Sequence, residues 1–153
     1  MGKKISDTKR NIVERITDYF SFFLKAIKDN AWVRNEEEVS FREIGEKEGY
    51  IRGNLYLHGA HELHVAEYVV INQGKPVAIK YRYQLQTPDN KITVRWDNAP
   101  HHRNINSFPH HKHCRDGSIV ASSINNLFEI LNSLDNELKE SRVSKSRSKR
   151  LVQ

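Results

Sequence analysis

The sequence has one cysteine, Cys114, among its 153 residues. An intramolecular disulfide is therefore impossible, and a Cys2His2 zinc site of the finger type is excluded as well. A reducing, cytoplasmic compartment fits that usage. No apolar run approaches the roughly twenty residues that a membrane-spanning helix needs. The opening Met1–Asp7 has lysines but no hydrophobic stretch after them, so no secretory signal is expected. Repeats and domain linkers are missing too. With 37% hydrophobic and 29% charged residues, the chain suits one soluble domain with a buried core. Acid is the scarcer charge, and the formal balance is +6. Much of that excess lies in Lys139–Arg150, which holds six Lys/Arg against one Glu. Composition thus permits a nucleic-acid partner without demanding one.

What is present begins with a helix. From Asn11 to Lys28 the apolar residues Ile12, Val13, Ile16, Tyr19, Phe20, Phe23, Leu24 and Ile27 recur at spacings of three and four. Asp7 or Thr8 is the expected cap. The period then changes, and four to five extended segments follow. These are Val39–Ile44, Tyr50–Leu57, Leu63–Ile71, Val77–Leu85 and Ile92–Trp96. The last two form a hairpin closed by Thr87-Pro88-Asp89-Asn90. Pairing Leu85 with Ile92 sorts Tyr81, Tyr83, Val94 and Trp96 to one face, and Lys80, Arg82 and Gln84 opposite Asp97, Arg95 and Thr93 to the other. That register sets Arg82 against Arg95, a like-charge pair that an anion such as phosphate would relieve. Ser122 or Ser123 is expected to cap a second helix carrying Ile124, Leu127, Phe128, Leu131, Leu134 and Leu138. The fold class is α+β: an antiparallel β-meander of four to five strands packed with an N-terminal and a C-terminal helix. Residues 1–138 form the single domain, and 139–153 form a basic tail expected to be disordered.

The densest chemistry lies in R-W-D-N-A-P-H-H-R-N-I-N-S-F-P-H-H-K-H, Arg95 to His113, which holds five of the eight histidines. Pro100 and Pro109 each precede a His-His pair and stiffen what reads as a loop. Three accounts compete for it. The first is a metal site: His111 and His113 would point the same way on an extended segment, and His101, His102 or Asp97 can complete the set. Arg103 and Lys112 among these ligands would repel a cation. The second is metal-independent phosphoryl transfer on RNA. Two imidazoles supply base and acid, and Arg95, Arg82, Arg103 or Lys112 meets the phosphorane charge. Asp97 orients an imidazole or is itself the base, and Glu67, stranded in an apolar segment, is a second candidate base. Tyr81 and Tyr83 can stack on unpaired bases. The third account is structural. His58, His61 and His64 are plain surface residues, Trp96 and the tyrosines are core, Glu67 pairs with Lys80, and Cys114 is an incidental thiol.

Four blocks then carry a resemblance: L-H-V-A-E (Leu63–Glu67), Y-R-Y (Tyr81–Tyr83), Arg95–His102 and F-P-H-H-K-H (Phe108–His113). Together, over residues 40–135, they resemble the TumE-like toxin family of prokaryotic toxin–antitoxin systems. The resemblance implies a growth-inhibiting toxin acting on RNA and held inactive by a helix-turn-helix antitoxin. It carries over Glu67, Arg95, Asp97, His101, His102, His110, His111 and His113 as site candidates, with no roles assigned. Lys80, Arg82, Arg103, Lys112, Tyr81 and Tyr83 are the expected substrate contacts. The leading expectation is a metal-independent endoribonuclease needing no cofactor, off the membrane, with a homodimer allowed. A non-catalytic RNA- or protein-binding module and a metal-dependent nuclease are the alternatives. In either catalytic case Arg95 and Asp97 must lie close to His110–His113.

Overall fold

A computed structural model describes residues 13–35 and 38–150, with side chains up to Lys139. Its elements run α1 (Ile16–Asp29), β1 (Val33–Asn35), β2 (Ser40–Gly45), β3 (Glu48–Leu57), β4 (Glu62–Asn72), β5 (Lys75–Gln86), β6 (Ile92–Asp97), β7 (His111–His113), β8 (Ile119–Ala121) and α2 (Leu127–Arg150). The α+β class is as expected, but the antiparallel sheet has eight strands rather than four or five. The additions are β1, β7 and β8, each three residues long. Three residues are too few for an alternating pattern to register, so the His111–His113 end of the histidine block read as a loop. The order is β1-β3-β4-β5-β6-β7-β8, with β2 also on β3. β1 pairs with one end of β3 and β2 with the other. Just before β2 the backbone at Glu38 and Val39 packs on Gly53 of β3, where a Cβ would stand 2.3 Å from the Glu38 carbonyl oxygen.

Both helices pack on one face of the sheet. α1 buries Ile16, Tyr19, Phe23 and Ile27, the predicted stripe. Its start is tied down by the Ile16 N–H to the Glu46 carbonyl (2.8 Å) and by the Arg15 N–H to Asp18 (3.0 Å). The expected caps Asp7 and Thr8, the opening Met1–Asp7 and Ile12 lie outside the described residues. α2 buries Leu127, Ile130, Leu131, Leu134 and Leu138. Its cap is Asn126, whose side chain accepts the Glu129 N–H at 3.0 Å, rather than Ser122 or Ser123. The Ser122 hydroxyl instead accepts the Ile124 N–H in a turn before the helix. The backbone of α2 stays helical to Arg150, over a stretch whose composition suggests disorder. That stretch has neither Gly nor Pro to stop a helix already begun. Among the described residues no helix is long and apolar enough to cross a membrane.

The β5–β6 register differs from the sequence expectation by two residues. Arg82 faces Asp97, Tyr83 faces Trp96, and Gln84 faces Arg95. One residue comes from the turn, where Thr87 and Lys91 close on each other (2.9 Å) and set Gln86 opposite Ile92. The other comes from a bulge that buries Thr93 and leaves Ile92 49% exposed. The Arg82–Arg95 pair, and the phosphate argued from it, therefore falls away. A shift of two preserves side-chain parity from Val94 to Asp97, so the sorting survives there, while Thr93, expected on the polar face, is buried and Ile92, expected on the apolar one, is exposed.

Candidate functional site

The site lies on the sheet face away from the helices. Across that face, cross-strand pairing lines up Arg52, Ala66, Arg82, Asp97 and His111 in one row. Gln84, Arg95 and His113 form the row beside it. Ala66 keeps the floor low between two arginines. A cleft of about 1040 Å³ opens there, lined by Arg42, Arg52, Lys80, Arg82 and Arg95 as cations. Asp97 and the imidazoles of His101, His102, His111 and His113 line it too.

Strand pairing, rather than a folded-back loop, brings the two ends of the histidine block together. Arg95 pairs with His113 and Asp97 with His111. The intervening chain turns repeatedly, through His102 to Ile105 (3.1 Å), Ile105 to Phe108 (3.0 Å) and Ser107 to His110 (2.8 Å). His102 holds a left-handed φ of 58°, a conformation that non-glycine residues adopt at a cost and that clusters at functional sites. At the end of β6, the Asn98 side chain donates to the Ile79 carbonyl (2.9 Å) and accepts the Tyr81 N–H (3.0 Å). It thereby continues the ladder beyond Asp97 and fixes the direction of the strand end.

Asp97 is 5% exposed and organises the cluster. Its Oδ1 lies 2.9 Å from His111 Nε2 and accepts the Ala99 N–H, and its Oδ2 accepts Arg95 Nε–H at 3.0 Å. The Pro109 carbonyl can only accept, so the 2.9 Å contact from His111 Nδ1 places a proton on that nitrogen. When the ring gains its second proton, on Nε2, it donates to Asp97. The carboxylate is placed to stabilise that imidazolium. Arg95 can only donate, so at 3.0 Å from its guanidinium His113 Nε2 is an acceptor. Burial first and the Arg95 charge second push the His113 pKa below the ordinary imidazole value. The Nε2 atoms of His113 and His111 lie 3.1 Å apart. His102 stands edge-on to both, at ring-centroid distances of 5.2 and 5.9 Å. His111 is 2% exposed, and His113 and Arg95 are the more open groups.

The remaining candidates divide by strand parity. His101 is exposed at the cleft mouth, edge-on to His102. Lys80 and Arg82 line the cleft, whereas Arg103 is exposed on the loop and is not among the lining residues. His110, Lys112, Tyr81, Tyr83 and Glu67 all serve the helix-covered face. His110 stacks on Tyr81 and meets its hydroxyl at 2.8 Å, while that hydroxyl donates to the Ile124 carbonyl. Lys112 lies over Trp96 and bonds Glu137 of α2. Tyr81 and Tyr83 stack on each other inside the core, so their rings are not base platforms. Glu67 is 2% exposed and accepts from the Tyr19 hydroxyl (2.7 Å), the Tyr83 hydroxyl and the Leu127 N–H. It pairs with neither Lys80 nor any imidazole of the cluster, because it alternates with Val65 and Val69 on the buried face. Cys114 sits in the β7–β8 turn, bonded through its backbone to Ser118.

Sequence reasoning missed Arg42, Arg52, Tyr50 and Tyr68 as cleft residues. Tyr50 shares strand parity with Arg52 and Asn54, the polar side of that segment, and this was the available signal.

A helix-backed antiparallel sheet with an imidazole, guanidinium and carboxylate cluster on its open face defines a small α+β protein with a cleft lined by cations and imidazoles. The chain matches the family described as Toxin TumE over residues 23–142, and it belongs to that toxin family. The match contains every group of the cluster. It marks the chain as the toxin component of a toxin–antitoxin system, with a cognate antitoxin as its partner. No curated protein and no solved structure matches the chain.

Proposed function

We propose that this toxin is an endoribonuclease that cleaves RNA without a metal, at the Arg95–Asp97–His111–His113 cluster. One observation carries the reading: paired imidazoles beside a fixed guanidinium at the floor of a cleft whose walls supply Arg42, Arg52, Lys80 and Arg82. Those cations suit a polyanion, and Arg95 suits the charge that develops on a phosphorane. When a bound phosphate draws the Arg95 guanidinium off His113 Nε2, that freed nitrogen takes the proton of a 2′-hydroxyl, and His102, edge-on to the same ring, gives its proton to the leaving oxygen. Asp97 and His111 hold His113 and Arg95 in place. The bound antitoxin, a helix-turn-helix protein in this reading, prevents access to the cleft.

The test is cleavage of a single-stranded RNA by the purified protein in excess chelator. Cleavage that is lost in His113→Ala, and absent on a DNA strand of the same sequence, is the expected result. Intact RNA after long incubation, with or without divalent ions, overturns the nuclease reading and leaves a binding module.

One observation favours a second reading. His102, His111 and His113 each offer a ligand atom within 4.8 Å of one another, and Asp97 adjoins them. These groups suit a transition metal, and the Nδ1–H of His111 on a carbonyl is how a ligating imidazole is oriented. Arg95 argues against it, since its guanidinium already bonds His113 and Asp97 where the cation would sit. Cleavage abolished by chelator and restored by a transition metal would replace the first reading with this one.

A further inference from the structure

Away from the imidazoles, the same open face carries an aromatic pair. Tyr50 on β3 and Tyr68 on β4 face each other across the strands, their rings stacked at 4.8 Å and 29°. The Tyr68 hydroxyl is anchored on Glu48 at 2.8 Å, so the inner ring is held. Tyr50 is 44% exposed and lines the cleft. The stacked pair has cations on both sides: Arg42 on β2 pairs with Tyr50, and Lys80 on β5 pairs with Tyr68. Asp97 lies three strands from Tyr50, which at a strand spacing of about 4.8 Å is on the order of 15 Å along the cleft floor. A few nucleotides of extended strand bridge that span.

We infer that Tyr50, backed by Tyr68 and flanked by Arg42 and Lys80, is a stacking subsite for one unpaired base of a single-stranded RNA. The inference rests on the nuclease reading and adds the substrate class to it. Stacking needs a free base face, which a duplex does not offer, while the flanking cations hold the adjacent phosphates regardless of sequence. The toxin therefore selects single strands, and it does so at a distance from the bond it breaks.

Binding is measured by fluorescence anisotropy with a labelled single-stranded oligonucleotide made uncleavable by 2′-O-methyl groups. Tyr50→Ala is expected to weaken it about tenfold, and Tyr50→Trp to keep parental affinity. A duplex of equal length should bind the parent more weakly and show no dependence on Tyr50. Replacing bases in the oligonucleotide by abasic sites, one at a time, should reproduce the Tyr50→Ala loss at one position in the parent protein, which needs no variant to fold. Equal binding of the single strand by parent and Tyr50→Ala, or no sensitive position in the abasic series, overturns the subsite. The two readings fail separately. Tyr50-dependent binding with no cleavage of the natural RNA sinks the nuclease alone, and cleavage indifferent to Tyr50→Ala sinks the subsite alone.

Discussion

The sheet buries one carboxylate on each face, and the two are treated in opposite ways. Glu67, on the helix-covered face, is 2% exposed and is met by two tyrosine hydroxyls and one backbone N–H. Asp97, on the open face, is 5% exposed and is met by a guanidinium and two imidazoles. Burial pushes the Glu67 pKa up, and its hydrogen bonds only partly oppose this. Asp97 instead has full or potential positive charges within reach. Glu67 ties α1, the sheet and the start of α2 together; Asp97 sets the orientation of groups that open onto a cleft. Burial of an acid therefore does not by itself mark a site. The charge of its partners and the access of those partners to solvent do.

The largest effect should come from the open face. His113→Ala and Arg95→Ala are each expected to lower RNA cleavage about a hundredfold or more, with thermal melting close to the parent's. A comparable loss from Glu67→Gln at equal folded concentration would break the distinction. On the covered face the expected cost is stability. Glu67→Ala strands two buried hydroxyls and should destabilise by about 1–3 kcal/mol in denaturant unfolding, while the folded fraction keeps its cleavage rate.

The pH dependence sharpens the same contrast. The Glu67 pKa is raised on folding, so its contribution is fully present below the ordinary carboxylate value and is lost as pH rises through the folded value. Melting temperature of the parent relative to Glu67→Gln should fall across that interval and then level off. His113 is depressed, so its contribution is present above the ordinary imidazole value and is lost as pH falls through the folded one. An NMR titration should find His113 below the ordinary imidazole value, moving upward in Arg95→Gln. The smallest effect concerns Lys112, whose ion pair with Glu137 and position over Trp96 only brace α2 against the sheet. Lys112→Ala should cost about 1 kcal/mol and leave cleavage unchanged.

Much of this layout could be read from residue patterns. The helix stripes and the long strands follow from periods of 3.6 and 2, and the H-x-H spacing correctly put His111 and His113 on one side of an extended segment. The same parity separates His110 and Lys112 from them, which a reading of the block as a loop could not show. Glu67 was visible as an oddity, but its strand is apolar on both faces, with Ala66 and Tyr68 opposite Val65 and Val69, so its side could not be chosen. The register of β5 with β6 depended on a bulge at Thr93, which leaves no trace in hydrophobic alternation. The Tyr50 platform had the right parity, yet an aromatic in a strand reads first as core.

The central claim is that the open-face carboxylate, not the covered one, belongs to the toxic activity. Growth inhibition in cells making Asp97→Asn or Glu67→Gln, at matched levels of folded protein and without antitoxin, tests it most directly. The account predicts that Asp97→Asn cells grow normally and Glu67→Gln cells are arrested like those making the parent. Arrest by Asp97→Asn, with growth restored by Glu67→Gln, would contradict it.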